Sequence, residues 1–144
     1  MIYLDSSALV KLVHVEEHTD ELRGWLAVEM PALLVASVLA EVEVSRAVRR
    51  HAPDRLEHVP TVLDSLDLVK ITGSVRAKAA GYPDPLLRSL DALHLATAHS
   101  IASTAGAAVT ALVTYDERLA KAASEVGLPV VMPGVEAQED SPDR

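Results

Sequence analysis

The sequence predicts an α/β domain built on a parallel sheet, and three observations carry that prediction. Short apolar runs alternate with longer segments of helical period, the order produced when each strand is followed by a crossover helix. The length of 144 residues suits one domain with room for a buried core. Apolar residues make up 49% of the chain, which excludes disorder, because a disordered chain combines low hydrophobicity with high charge.

The elements follow in order. Ile2 to Leu4 reads as a first strand, followed by a helix from about Ser6 to Val15 and a second helix over Thr19 to Val28. Leu33 to Ala36 reads as a second strand feeding a helix from about Val38 to His51. Pro53 and Asp54 punctuate the chain, and a further helix runs towards Ser65, disturbed at Pro60. Leu68 to Ile71 is a third strand and Ser74 to Ala80 a short helix. In Tyr82-Pro-Asp-Pro85, Asp84 is placed to cap a helix that starts at Pro85 and runs to about Ser103. Val109 to Thr114 is a buried fourth strand. Asp116 to Val126 is a helix closed by Gly127, and Val130 to Met132 is a fifth strand. Residues 1–135 thus form the domain, and residues 136–144 read as a loose acidic tail.

Composition narrows the function. Without cysteine there are no disulfides, thiolate metal sites or cysteine nucleophiles. Asp5 stands where a signal peptide needs a basic flank, and no apolar run spans a bilayer, so a soluble cytoplasmic protein is expected. A net charge of −8 argues against holding nucleic acid by a basic surface. With one Trp, three Tyr and no Phe, a base-stacking platform is not expected either. An RNA substrate would need its phosphate neutralised by something else, and bound divalent metal would do it.

Beyond the carboxyl ends of parallel strands, near a switch in strand order, is where sites form. Asp5 stands at that end of the first strand and Asp116 just past that end of the fourth. Each is equally explained as the N-cap of the helix that follows, and one residue can do both. Asp91 lies in Leu86-Leu-Arg-Ser-Leu-Asp-Ala-Leu-His-Leu-Ala-Thr-Ala98, a segment apolar on nearly every side, with Leu87, Leu95 and Ala98 on its stripe. A buried carboxylate there costs several kcal/mol by order of magnitude unless paired or metal-bound. A local pair with His94 is the alternative. Glu43 is on a different helical face from Glu41 and shares its stripe with Leu39, Arg46 and Arg50. By spacing alone a surface Glu–Arg ladder is the better account of it.

The segments Tyr3-Leu-Asp-Ser-Ser-Ala8, Ala36-Ser-x5-Glu43-x2-Arg46-Ala47, Leu90-Asp-Ala-Leu-His-Leu-Ala96 and Val113-Thr-Tyr-Asp-Glu-Arg-Leu119 resemble the ordered motifs of PIN-domain nucleases. More narrowly they resemble those of VapC-type toxins of toxin–antitoxin pairs, over roughly residues 2–133. The resemblance implies a three-layer α/β/α PIN-like fold around a mostly parallel five-stranded sheet. It also implies a catalytic metal site formed by Asp5, Glu43, Asp91 and Asp116, the spacing from Ser37 choosing Glu43 over Glu41. Ser6 and Thr114 would sit beside that site, and Glu117 is the one clear further candidate acid after Asp116. Implied partners are RNA, a VapB-like antitoxin whose C-terminal segment covers the acidic site with a basic side chain, and a second copy of the chain.

Clustered carboxylates without cysteine suit hard oxygen-seeking ions, Mg²⁺ or Mn²⁺. Such an ion relieves the repulsion among the acids, acidifies a water and neutralises the scissile phosphate. The expected reaction is endoribonucleolytic hydrolysis leaving 5′-phosphate and 3′-hydroxyl ends, as the resemblance implies. Arg46, Arg50, Arg88 and Arg118 are candidates to steer RNA, although solubility explains each one singly.

Three other readings compete. His14-Val-Glu-Glu-His18 matches an inverted zincin pattern, but the stretch reads as a frayed helix end and one His pair leaves zinc underliganded. A receiver-like phosphoacceptor needs an acid pair after strand one, an Asp ending strand three and a Lys ending strand five. The chain has Asp-Ser-Ser, Lys70-Ile-Thr72 and Met-Pro-Gly134 there. A catalytically silent binding module is the non-enzyme alternative, with Trp25 and the first two helices as its docking surface or, more simply, Trp25 as core.

Overall fold

The computed structural model describes residues 1–136. The part of the expected tail from residue 137 onward lies outside them. Five strands form one sheet in the order β3-β2-β1-β4-β5: β1 (Ile2–Leu4), β2 (Leu34–Ser37), β3 (Asp67–Val69), β4 (Ala111–Val113) and β5 (Val130–Val131). Every neighbouring pair is parallel, so the sheet is wholly rather than mostly parallel. β1 lies in the middle, with Tyr3 opposite Val35 on one side and Leu112 on the other. The chain winds outward from β1 through β2 to β3, then returns to lay β4 on the opposite edge of β1. That reversal opens a crevice between the carboxyl ends of β1 and β4.

The helices are α1 (Ser6–Val13), α2 (Thr19–Glu29), α3 (Leu39–His51), α4 (Val59–Leu63), α5 (Gly73–Ala80), α6 (Ser89–Ala102) and α7 (Glu117–Glu125). They cover both faces of the sheet, and two separate cores record it. Ile2 and Leu4 face one core with Leu9 of α1, Leu22 of α2 and Val44 and Val48 of α3. Tyr3 faces the other, with Leu95 and Ala98 of α6 and Leu119 and Ala123 of α7. Alternate side chains of one strand therefore enter opposite cores, and Ile2, Tyr3 and Leu4 are all fully buried. Trp25 is partly buried against the first core, which makes it a packing residue of α2.

Several boundaries differ from those read in the sequence, each for a local reason. The segment expected as one helix towards Ser65 is a 3₁₀ stretch over Pro53–His58 followed by α4. Pro60 lies in the first turn of α4, where a missing N–H breaks no helical bond, so it helps to start that helix. α6 starts at Ser89, four residues after Pro85. Asp84 caps a turn instead: its Oδ1 accepts from Leu86 N at 2.9 Å and its carbonyl from Leu87 N at 3.3 Å. The shorter α6 moves Asp91 from mid-helix to the first helical turn, where the helix dipole favours a negative charge. α1 ends at Val13, before Val15, and β4 is confined to Ala111–Val113. Gly127 ends α7 as expected, with φ +80 that an L side chain adopts only at a cost. Among the described residues no helix is long and apolar enough to cross a membrane.

Truncating Leu112, fully buried at the centre of the sheet, is expected to cost about 2–5 kcal/mol as Leu112→Ala in urea unfolding. Val28→Ala, at a side chain 81% exposed, is expected to change stability by less than about 0.5 kcal/mol in the same assay. Equal losses at the two positions would contradict this division of core and surface.

Candidate metal and active site

Asp5 leaves β1 directly into α1, so its carboxylate lies over the crevice and at a helix N-terminus together. It is 4% exposed and accepts three hydrogen bonds. Oδ1 takes Ser7 Oγ at 2.7 Å and Ala8 N at 3.0 Å. Oδ2 takes Thr114 Oγ1, from the end of β4, at 2.7 Å. Burial nevertheless prevails over these donors and raises its pKa above the ordinary carboxylate value.

Asp116 stands just beyond β4 and caps α7, its Oδ1 accepting from Arg118 N at 2.9 Å and Leu119 N at 3.0 Å. Its own N–H donates to Thr114 Oγ1 at 3.0 Å. One hydroxyl therefore links the acids after β1 and β4. Both residues are N-caps, as one of the two explanations had it, and a cap leaves the site role open.

Asp91 is half-buried at the start of α6, and its carboxylate has no hydrogen-bond partner among the described residues. Its pKa is raised by burial first, then by the charges of Asp116 and Asp5, with Glu43 adding and His94 opposing. The charges of the other three acids named from the sequence thus all bear on Asp91. The cost of burying it is smaller than a mid-helix position implied, because the first turn of α6 leaves it partly solvated.

Glu43 makes no ion pair with Arg46 or Arg50, so the surface ladder is not formed. Its Oε1 accepts from Ser6 Oγ at 2.9 Å and lies 2.6 Å from His94 Nε2. Burial would raise its pKa, but the His94 hydrogen bond and charge, with Ser6, hold it below the ordinary value. Glu41, on the other face, is exposed. His94 is 2% exposed, and its Nδ1 meets the Tyr3 hydroxyl at 2.8 Å. Burial depresses the imidazole, yet Glu43 above all, then Asp5 and Asp91, raise its pKa. The sequence suggested His94 only as a local partner for Asp91, a pair the structure does not make. The signal for its actual role was a polar side chain inside the apolar run from Leu90 to Ala98, which demands a buried partner.

Of the four acids, Glu43 alone lines an open cavity of about 500 Å³, together with Ser6, Ser7, Arg46, Arg50 and Leu90 among others. Two of the four candidate arginines therefore face the site, while Arg88 and Arg118 are exposed outside this lining. Glu117 is exposed on the first turn of α7. The zincin-like pattern is broken: His14 ends α1 with extended backbone, and His18 precedes α2 in a left-handed conformation, stacked on Tyr115 at 6.0 Å.

Among the described residues no three acids or histidines are gathered closely enough to enclose an ion. Each of Asp5, Glu43 and Asp116 is tied to its own scaffold by the bonds above. The donor set nonetheless fits a small hard cation, which commonly takes one or two carboxylates and keeps several waters. Asp91, free of hydrogen bonds and repelled by its neighbours, is the carboxylate such an ion would relieve most.

The comparisons with known proteins agree with this fold. The PIN domain family profile matches residues 2–125. Ribonuclease VapC35 of Mycobacterium tuberculosis is 51% identical over 134 residues, covering 93% of this chain and 98% of that protein. Ribonuclease VapC47 of the same species is 41% identical over 137 residues, covering 93% and 98%. Among solved structures, M. tuberculosis VapC20, described as a sarcin-ricin loop cleaving toxin, aligns with a TM-score of 0.72 at 13% identity. It covers 92% of this chain and all of that one. A toxin–antitoxin complex from Klebsiella pneumoniae aligns at 0.67 with 19% identity, covering 92% and 98%. At those identities the solved structures establish the fold.

Replacing Thr114 by Val leaves Oδ2 of Asp5 buried without its donor and the N–H of Asp116 without its acceptor. Thr114→Val is expected to cost about 1–3 kcal/mol in urea unfolding, whereas Thr114→Ser, which keeps the hydroxyl, is expected to lose less than half as much. Wild-type stability in Thr114→Val would show that this hydroxyl does not anchor the site.

Proposed function

This chain belongs to the PIN-domain family, on its VapC ribonuclease branch, and we propose that it is a divalent-metal-dependent endoribonuclease acting as the toxin of a toxin–antitoxin pair. The observation that carries the chemistry is that the Thr114 hydroxyl joins Asp5 and Asp116, the acids after β1 and β4, while the half-buried carboxylate of Asp91, whose pKa their charges raise, has no hydrogen-bond partner among the described residues. Acids that repel one another at the switch point of a parallel sheet are held there at a cost, and a cation offsets it.

Asp91 and Asp5 are the principal holders of Mg²⁺ or Mn²⁺ in this reading, with Glu43 and Asp116 completing the charge. When bound, the cation supplies charge neutralisation at the phosphate and acidifies the attacking water. Arg46 and Arg50, on the cavity wall, offset the −8 charge of the chain locally and bind the RNA backbone on either side of the cut. Ser6 and Thr114 keep Glu43 and Asp5 in place. Water attacks phosphorus in line, the bond from phosphorus to the 3′ oxygen breaks, and that oxygen takes up a proton. The products carry 5′-phosphate and 3′-hydroxyl ends.

The partner that restrains this activity is a VapB-like antitoxin, one of whose basic side chains answers the acidic crevice. No feature of the site favours a silent binding module. The test is cleavage of total cellular RNA by the partner-free protein, in Mg²⁺ or Mn²⁺ against EDTA. Discrete fragments are expected with either metal, falling to the EDTA background in Asp91→Asn while circular dichroism stays that of the wild type. Undiminished cleavage by folded Asp91→Asn would remove Asp91 from the mechanism, and no cleavage with either metal would overturn the nuclease reading.

A further inference from the structure

The hydrogen-bond chain that ends on Glu43 draws on three elements. Tyr3 comes from the centre of β1, His94 from α6 and Glu43 from α3. Tyr3 is fully buried and His94 is 2% exposed, whereas the Glu43 side chain is 22% exposed and lines the cavity. The chain thus runs from dry core to open crevice.

The direction of its last hydrogen bond is fixed. An ionised carboxylate only accepts, so the 2.6 Å contact requires a proton on His94 Nε2. The hydroxyl of Tyr3 at 2.8 Å from Nδ1 then holds the ring in that orientation, donating to a neutral imidazole or accepting from a charged one. Ser6 Oγ donates to the same oxygen, Oε1, at 2.9 Å, so both donors fall on one side of the carboxylate. Oε2 has no hydrogen-bond partner among the described residues. The ring can slide little, because its edge packs on Tyr3 at a centroid distance of 6.0 Å and an interplanar angle of 76°.

We propose that His94, oriented by Tyr3, is a positioning residue that clamps Oε1 of Glu43 and leaves Oε2 as a single fixed oxygen for the divalent cation. This inference rests on the metal-dependent reading above. Groups that orient metal-binding side chains typically change metal affinity about 10- to 100-fold when removed. A merely structural pair would lower stability and leave the affinity of the folded protein unchanged.

The test is Mn²⁺ titration of the full, partner-free chain, following the loss of the free-ion signal by electron paramagnetic resonance, with RNA cleavage kinetics beside it. His94→Leu is expected to weaken Mn²⁺ binding by about 10- to 100-fold and to lower kcat at subsaturating metal, with KM for RNA unchanged. His94→Gln, whose amide N–H can reach the same oxygen, is expected to restore most of that affinity. Tyr3→Phe keeps the ring and loses the hydroxyl, and is expected to weaken binding several-fold, by less than His94→Leu. Should His94→Leu fail to fold, Tyr3→Phe carries the test. Wild-type Mn²⁺ affinity in folded His94→Leu, or in folded Tyr3→Phe when His94→Leu does not fold, would overturn the positioning role and leave the metal reading standing. Absence of Mn²⁺ binding by the wild type would overturn both.

Discussion

Burying the carboxylate of Asp5 between β1 and β4 is the constraint that organises this molecule. An acid 4% exposed at the centre of a parallel sheet must find its donors within the protein. The solution draws on the N-terminus of α1, on Ser7 and on a threonine 109 residues away. Thr114 reaches Asp5 only because β4 pairs directly with β1, which follows from the reversal in strand order. The same hydroxyl accepts from Asp116 N, so the cap of α7 is set by the element that satisfies Asp5. Topology, hydrogen bonding and site geometry are one arrangement here, and no side-chain nitrogen or oxygen is left buried without a partner among the described residues.

The electrostatics follow from that arrangement. Asp5 and Asp116 are held by the sheet, and Asp91 enters from α6 into a field already negative. Glu43 differs from the other acids in being hydrogen-bonded to a basic neighbour, His94, whose proton it stabilises and by which its own charge is stabilised in turn. One acid of the four is thus compensated by the protein, and the remaining negative charge calls for a cation. In the proposed reading, a chain of net charge −8 would engage RNA through a local pair of arginines and a bound ion, without a basic surface.

Much of this was legible in the sequence. The strands were found because apolar triplets such as Ile2-Tyr3-Leu4 and Ala111-Leu112-Val113 stand out between helical segments, although an edge such as that of β3 lies one residue earlier than the apolar run suggests. Asp5 and Asp116 were legible because acids at strand ends read both as caps and as site residues. Glu43 was not legible from spacing, since its partners Ser6 and His94 are 37 and 51 residues away and only the fold brings them together. Asp91 was legible for a reason that proved partly wrong. Its segment is apolar as expected, but the turn at Asp84 delays the helix, so the acid gains solvent and a helix dipole that periodicity alone did not show. His94 was overlooked for its role because a neighbour three residues away offered a local explanation, while the true partners are distant in sequence.

The account stands on the acids of β1, α3, α6 and β4 forming one cation site. The most direct measurement is the anomalous difference map of crystals of the full chain soaked in Mn²⁺. A peak in the crevice, with Asp91 and Asp5 among its ligands, is the predicted result. A well-occupied Mn²⁺ elsewhere on the molecule, with that crevice empty at saturating metal, would contradict it.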